Sequence, residues 1–355
     1  MVLFISCGGI DTLPMHTPIY PSTANDVVFT LEARADKGIK KVELYTQLLN
    51  LDGDETRIYY KEFEDPQETI SCQHNAGKFD AGSLIRYRFV VMDKSGSERS
   101  HDVTFAVQAV EGQPGAVLAH EPIPIYCQGD PLDVMDLVFI PDVDITDMEY
   151  FYETCEKMIT DVFFSEPTIR KWSRQFNFYI NQQTGEAKPY DSDNPNDEHV
   201  IPTNWSTISN LEVKVIMHEA EFRDYASGEF EGLCSTELKE YGTVLHEAGH
   251  TMFKLRDEYH ACCAHHQIEH LPNNWDCEKD ARSAASSRHK KRSDVRRIGR
   301  SGWFKMCNDD CQMMWGGEDV LHFDKPCGDR VVYCIKDAAN NTQNGDANED
   351  IEPED

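Results

Sequence analysis

The chain has 355 residues, 40% of them hydrophobic and 27% charged, which is enough apolar material for two domains, each with its own core. Its 63 acidic against 34 basic residues leave a formal charge of −29 at pH 7, which repels phosphate backbones and argues against nucleic acid as a partner. No run approaches the ~20 apolar residues of a membrane-spanning helix, so no transmembrane segment is expected.

The chain begins M-V-L-F-I-S-C-G-G, with no Lys or Arg before Cys7 and too few apolar residues for a complete secretory signal. It reads either as the end of a lipoprotein-type signal or as a short apolar terminus without meaning. Twelve cysteines, eight of them after residue 230, lean toward an oxidising compartment. An extracellular, periplasmic or cell-surface location is therefore expected ahead of a cytoplasmic one. The spacings Cys307/Cys311 and Cys327/Cys334 lack the tight C-x-x-C of a zinc knuckle, so disulfides or buried thiols are expected there rather than a second metal.

Residues 26–108 alternate in the manner of strands. V-V-F-T-L-E-A, V-E-L-Y-T, R-I-Y-Y-K-E-F, I-R-Y-R-F-V-V-M and V-T-F-A-V are short, rich in β-branched and aromatic residues, and separated by Gly, Asp and Asn clusters. The expectation is an immunoglobulin-like β-sandwich over 1–112, structural or used for docking. Four prolines and three glycines between 111 and 131 read as a linker, placed at 113–134. An α/β domain is expected over 135–337, giving an α+β multidomain chain. Its first strand is D-L-V-F-I-P (136–141), followed by a helix from a Thr146–Glu149 capping box toward Phe164 and stopped by Pro167. F-N-F-Y-I (176–180) and E-V-K-V-I-M-H (212–218) supply two further strands.

The next helix is expected to open near Ser235 or Thr236, with an apolar face of Leu238, Leu245, Ala248, Met252 and Leu255. It carries H-E-A-G-H at 246–250, and the four-residue spacing sets His246 and His250 one turn apart on a common face, as a pair of zinc ligands requires. Between them Glu247 is placed to reach a zinc-bound water as general base. The third ligand is a geometric problem. Asp257 points nearly the same way as His250 on a straight helix but lies roughly 10 Å farther along the axis. The chain must therefore leave the helix after His250 and fold the D-E-Y segment back, so that Asp257 binds, with Glu258 as the alternative ligand or a support to it.

The stretch H-E-A-G-H-T-M-F-K-L-R-D-E-Y (246–259) resembles the H-E-x-G-H-x-x-x-x-L-x-D-E-Y signature of the metallopeptidase family typified by a bacterial IgA-cleaving endopeptidase. That family is similar to the metzincins, and C-N-D-D-C-Q-M-M-W (307–315) resembles its Cys-x-Met turn, which maps the methionine under the zinc onto Met313, or Met314 if the turn is shifted. The resemblance implies a zincin (metzincin-like) catalytic domain over most of 135–335 behind an N-terminal β-sandwich, with one zinc per chain. It also implies a protein or peptide substrate and a role for Tyr259 in anchoring the fold or stabilising an oxyanion. The chain departs from the family in having P-D-V-D where a G-D-G-Y turn is usual, and in a basic insertion at 282–302.

Three alternatives stay open at this stage. One is a thermolysin-like peptidase with a downstream Glu ligand, another an inactive or non-peptidase zinc protein whose β-domain is the binding module. The third is an adhesion protein with structural zinc. The His-rich tract His260, His265, His266 and His270, with Cys262 and Cys263, reads as a solvated loop. So does the run 288–300, which holds seven basic residues. Residues 338–355 are expected to be a disordered acidic tail. The sequence does not fix the oligomeric state.

Overall fold

The computed structural model describes residues 9–51, 53–109, 122–129, 133–189, 199–202, 213–227, 232–257, 273–275, 278–287, 295–298, 304–305, 311, 313 and 322–345. The first sheet is built from β1 (Ile10–Thr17), β2 (Val27–Leu48), β3 (Thr56–Gly77), β4 (Leu84–Asp93) and β5 (Glu98–Ala106). It runs β1-β2-β4-β5, with β3 also paired to β2 and all pairings antiparallel. Strict alternation makes its inner face: Val27, Phe29, Leu31, Ala33 and Ala35 are buried while Thr30, Glu32 and Arg34 between them are not.

Two of the expected strands, 27–33 and 42–46, prove to be halves of the single strand β2. The A-D-K-G between them looks like a turn but is a bend within the strand, marked by register shifts between Arg34 and Lys41. Gly38 allows it with φ +78°, a conformation in which a Cβ would also meet Pro66 at 2.9 Å. The bend folds the sheet over on itself. His16 of β1 stacks on Phe105 of β5 at 4.1 Å between ring centroids, and Phe29 lies 4.5 Å from Tyr87 of β4.

The second sheet has the order β10-β11-β9-β7-β8-β6, from β6 (Ile123–Tyr126), β7 (Met135–Pro141), β8 (Phe176–Ile180), β9 (Val213–His218), β10 (Ala226–Ser227) and β11 (Leu233–Glu237). Strands β8, β7, β9 and β11 run parallel, and β6 and β10 are antiparallel to their neighbours. All seven residues of β7 are buried, as a central strand covered on both faces requires. Leu137 and Phe139 join the main core, whereas Val138 and Ile140 join a separate cluster with Ile216.

The helix after β7 is α1 (Met148–Lys157), continuing as a wider turn through Met158–Phe163. Its N-cap is Asp147 rather than Thr146, the Asp147 carboxylate accepting from Tyr150 N at 3.0 Å. Pro167 opens the next helix, α2 (Pro167–Lys171), from the Glu166 cap instead of stopping α1. Residues 233–237 form β11, and the motif helix α3 (Thr243–Thr251) starts later than the apolar spacing suggests. The run L-C-S-T-E, buried from Leu233 to Thr236, joins the sheet before the chain turns into the helix.

The linker reading fails at 123–126, because Ile123, Ile125 and Tyr126 are buried and the segment is the edge strand of the second sheet. Tyr126 donates its hydroxyl to Pro14 O at 2.7 Å, and the Glu156 carboxylate accepts from Thr17 Oγ1 at 2.6 Å and Ile19 N at 2.9 Å. One hydrophobic core runs through both sheets.

After α3 come β12 (Asn274–Trp275), α4 (Glu278–Ser287), β13 (Arg296–Arg297), β14 (Phe304–Lys305) and α5 (Lys325–Gly345). The basic insertion is more than a solvated loop: Val295 packs with Trp275, Ala281 and Ala285, while Arg296 and Arg297 face solvent. Residues 338–345 belong to α5, not to a disordered tail, and 346–355 lie outside the described residues. The described structure is thus α+β with several sheets, and no described helix is long and apolar enough to cross a membrane.

Candidate metal centre

The site is assembled where α3 ends. His246 and His250 project from successive turns with rings at 90° and Nε2 atoms 3.1 Å apart. The helix stops just past Thr251: Met252 N still donates to Ala248 O at 2.8 Å, and then Lys254 takes φ 57°. A left-handed residue there reverses the chain, and Leu255 N donates back to Gly249 O at 2.8 Å. The side chain of Lys254 returns to Thr251 O at 2.6 Å, a cation at the negative end of the helix.

The reversal carries Asp257 under the two histidines. Its Oδ1 lies 3.2 Å from His246 Nε2 and 3.2 Å from His250 Nε2. Three donor atoms thus form a nearly equilateral triangle. Tetrahedral zinc, with bonds of about 2.0–2.1 Å, needs ligand atoms about 3.3 Å apart, so the spacing fits that ion. Asp257 Oδ1 is buried and accepts no hydrogen bond of acceptable angle, which is the condition of an oxygen aimed at a shared point rather than at one N–H. Burial pushes the Asp257 carboxyl up, but His246 and His250 outweigh it and hold it well below the usual carboxylate range.

Neighbouring groups orient these ligands. His250 Nδ1 is 2.9 Å from Leu255 O, so Nδ1–H donates to the carbonyl and the Nε2 lone pair is left toward the triangle. Asn273, fully buried, accepts from Arg256 N at 3.1 Å and donates to Arg256 O at 2.7 Å, gripping the residue before Asp257. Arg330 of α5 donates from Nε to Phe253 O at 2.9 Å and so holds the bend itself. Asn273 and Arg330 escape a sequence reading because each acts through a backbone contact across 17 or 77 residues, for which no local pattern exists.

Glu247, between the two histidines, is 5% exposed. Burial raises its carboxyl to about 7; His246 pulls it down, and Asp224 and Asp257 push it further up. A carboxyl poised there exchanges protons readily at neutral pH. Beneath the helix, a Cβ added to Gly249 would lie 2.5 Å from Met313 Sδ and 3.4 Å from Met313 Cε. The wholly buried Met313 therefore packs directly against the backbone between the two histidines. Glu258, Tyr259, Met314 and the His-rich tract lie outside the described residues. Among the described residues no glutamate joins the donor triangle.

No protein-family model matches the chain, and no curated protein does. Among solved structures it is similar to a DUF4466 family protein from Parabacteroides merdae, with 8% identity over 27% of this chain and 43% of that one, at a TM-score of 0.22. A superoxide reductase (neelaredoxin) from Ignicoccus hospitalis gives 9% identity over 28% and 80% of the two chains, also at 0.22. The pectate lyase PelI from Erwinia chrysanthemi gives 15% identity over 38% and 35%, at 0.19. Likenesses of this size carry no argument about fold or function, and the site is read from its own geometry.

Proposed function

We propose that the protein is a zinc-dependent metalloendopeptidase of the IgA-cleaving, metzincin-like kind, with His246, His250 and Asp257 as the ligands of one zinc. The observation that carries this reading is the placement of Asp257 Oδ1 at equal distance from two imidazole nitrogens, with the buried Glu247 between those two histidines on the same helix. Bound there, zinc would supply Lewis acidity, lowering the pKa of a water and polarising the scissile carbonyl. Glu247 would take a proton from the attacking water and return it to the departing amine. His250, fixed by Leu255 O, and Asp257, fixed through Asn273, hold their donor atoms without reorganisation. Three protein ligands leave a fourth position open, which suits catalysis better than a structural site. Met313 under Gly249 supports the metzincin-like reading.

The test is peptide hydrolysis by Glu247→Gln. This variant should keep its zinc and its fold while cleaving a peptide library at least ~100-fold more slowly than the parent, whose cleavage pattern gives the sequence preference around the scissile bond. Cleavage at the parental rate would overturn the mechanism.

A further inference from the structure

Two cysteine sulfurs meet behind the methionine that supports α3. Cys311 Sγ and Cys327 Sγ are 3.6 Å apart, and both residues are fully buried. Cys311 stands two positions before Met313, whose sulfur abuts Gly249. Cys327 lies in the first turn of α5, the helix whose Arg330 and Cys334 reach Phe253 O in the bend that returns Asp257. We propose that Cys311 and Cys327 form a disulfide that fastens the Met313 segment to α5, so that one helix secures both the support and the third corner of the candidate metal centre.

The metal-type group beside this pair is Asp324, whose carboxylate could complete a set of three donors. Its position has another explanation, however: Oδ1 accepts from Cys327 N at 3.2 Å, the task of an aspartate capping a helix. The sulfurs are in van der Waals contact and separated by 16 residues of chain, a loop length at which cross-linking removes substantial entropy from the unfolded state.

Oxidation belongs to folding, before the pair is buried, with a low-molecular-weight disulfide as oxidant. One cysteine thiolate attacks a sulfur of the carrier, giving a mixed disulfide and one carrier thiolate; the second cysteine thiolate then forms the Sγ–Sγ bond and expels the other. The two thiol protons end on the two carrier thiols, and the two electrons reduce the carrier's disulfide. None of this depends on the peptidase reading.

The full chain is to be produced in an oxidising periplasm and in a reducing cytosol, denatured in an alkylating agent, digested without reduction and mapped by mass spectrometry. Periplasmic protein should yield the Cys311 and Cys327 peptides joined and two hydrogens lighter than their sum, whereas cytosolic protein should yield both alkylated. Cys155, whose Sγ faces Met217 Sδ at 3.7 Å, should be alkylated in both. Reductant should lower the Tm of the periplasmic protein by roughly 3–5 °C more than that of the double variant C311A/C327A. The proposal is overturned if the periplasmic peptides are both alkylated or if Cys311 is joined to a different cysteine. It is also overturned by a second equivalent of zinc that disappears in the double variant.

Discussion

Substituting Gly249 by Ala sets two effects of known sign against each other. In the middle of a helix, Ala is worth about 1 kcal/mol more than Gly. Against this, the new methyl would sit 2.5 Å from Met313 Sδ, well inside ordinary contact. Met313 is fully buried, so its sulfur must move into packed surroundings at an overpacking cost of about 1–3 kcal/mol. The net expectation is a loss of about 0–2 kcal/mol, a fall in Tm of no more than several degrees. The coupling is the more telling quantity. Met313→Ala alone should cost about 2–5 kcal/mol through the cavity it leaves. In the double variant the methyl introduced at position 249 no longer collides with sulfur, so the combined loss should be smaller than the sum by about 1–3 kcal/mol. Urea denaturation of the four proteins measures it. Additive losses, or a Gly249→Ala protein more stable by the full helical gain, would show that Met313 does not lie against α3.

Three further outcomes follow from the site and the core. Asn273→Ala should weaken zinc binding about 10- to 100-fold with little change in the circular dichroism of the fold, since it frees the backbone before Asp257; competition with a chromophoric chelator reads the affinity. Lys254→Gly should relieve a left-handed backbone worth about 1 kcal/mol while losing the contact to Thr251 O, so thermal unfolding should move by less than a few degrees in either direction. Burial holds His16 at about 3, below its ordinary 6.5, so the unfolded chain binds that proton first and stability is lost as pH falls from 6.5 toward 3. His16→Phe should therefore flatten the stability–pH slope between pH 6 and 4 by about 1.4 kcal/mol per pH unit, and an unchanged slope would contradict a buried neutral His16.

Local pattern carries much of this structure. The apolar runs at 136–141, 176–180 and 213–218 are strands because a strand buried on both faces has few alternatives. The break after His250 is legible from distance alone, since Asp257 cannot reach a ligand pair from a continued helix, and Lys254 makes the reversal that the distance requires. Other features are hidden by their length scale. The A-D-K-G segment reads as a turn until its partner strand is known; only β3 passing alongside shows that β2 continues through it. Within the Pro- and Gly-containing stretch 111–131, the segment 123–126 looks like linker, yet an edge strand tolerates Pro124, and burial of Ile125 and Tyr126 decides the matter. Apolar spacing misplaces the start of α3 because Leu238 is buried without being helical. Asn273 and Arg330 act on backbone carbonyls and amides far away in sequence, where spacing has nothing to say.

X-ray absorption at the zinc edge of protein carrying one equivalent of the metal tests the central claim most directly. Two imidazole nitrogens and light oxygen donors at about 2.0–2.1 Å, with no sulfur shell, are predicted. Asp257→Ala should then lose most of its bound zinc on dialysis. A sulfur shell near about 2.3 Å, or full zinc retention in Asp257→Ala, would contradict a centre built from His246, His250 and Asp257.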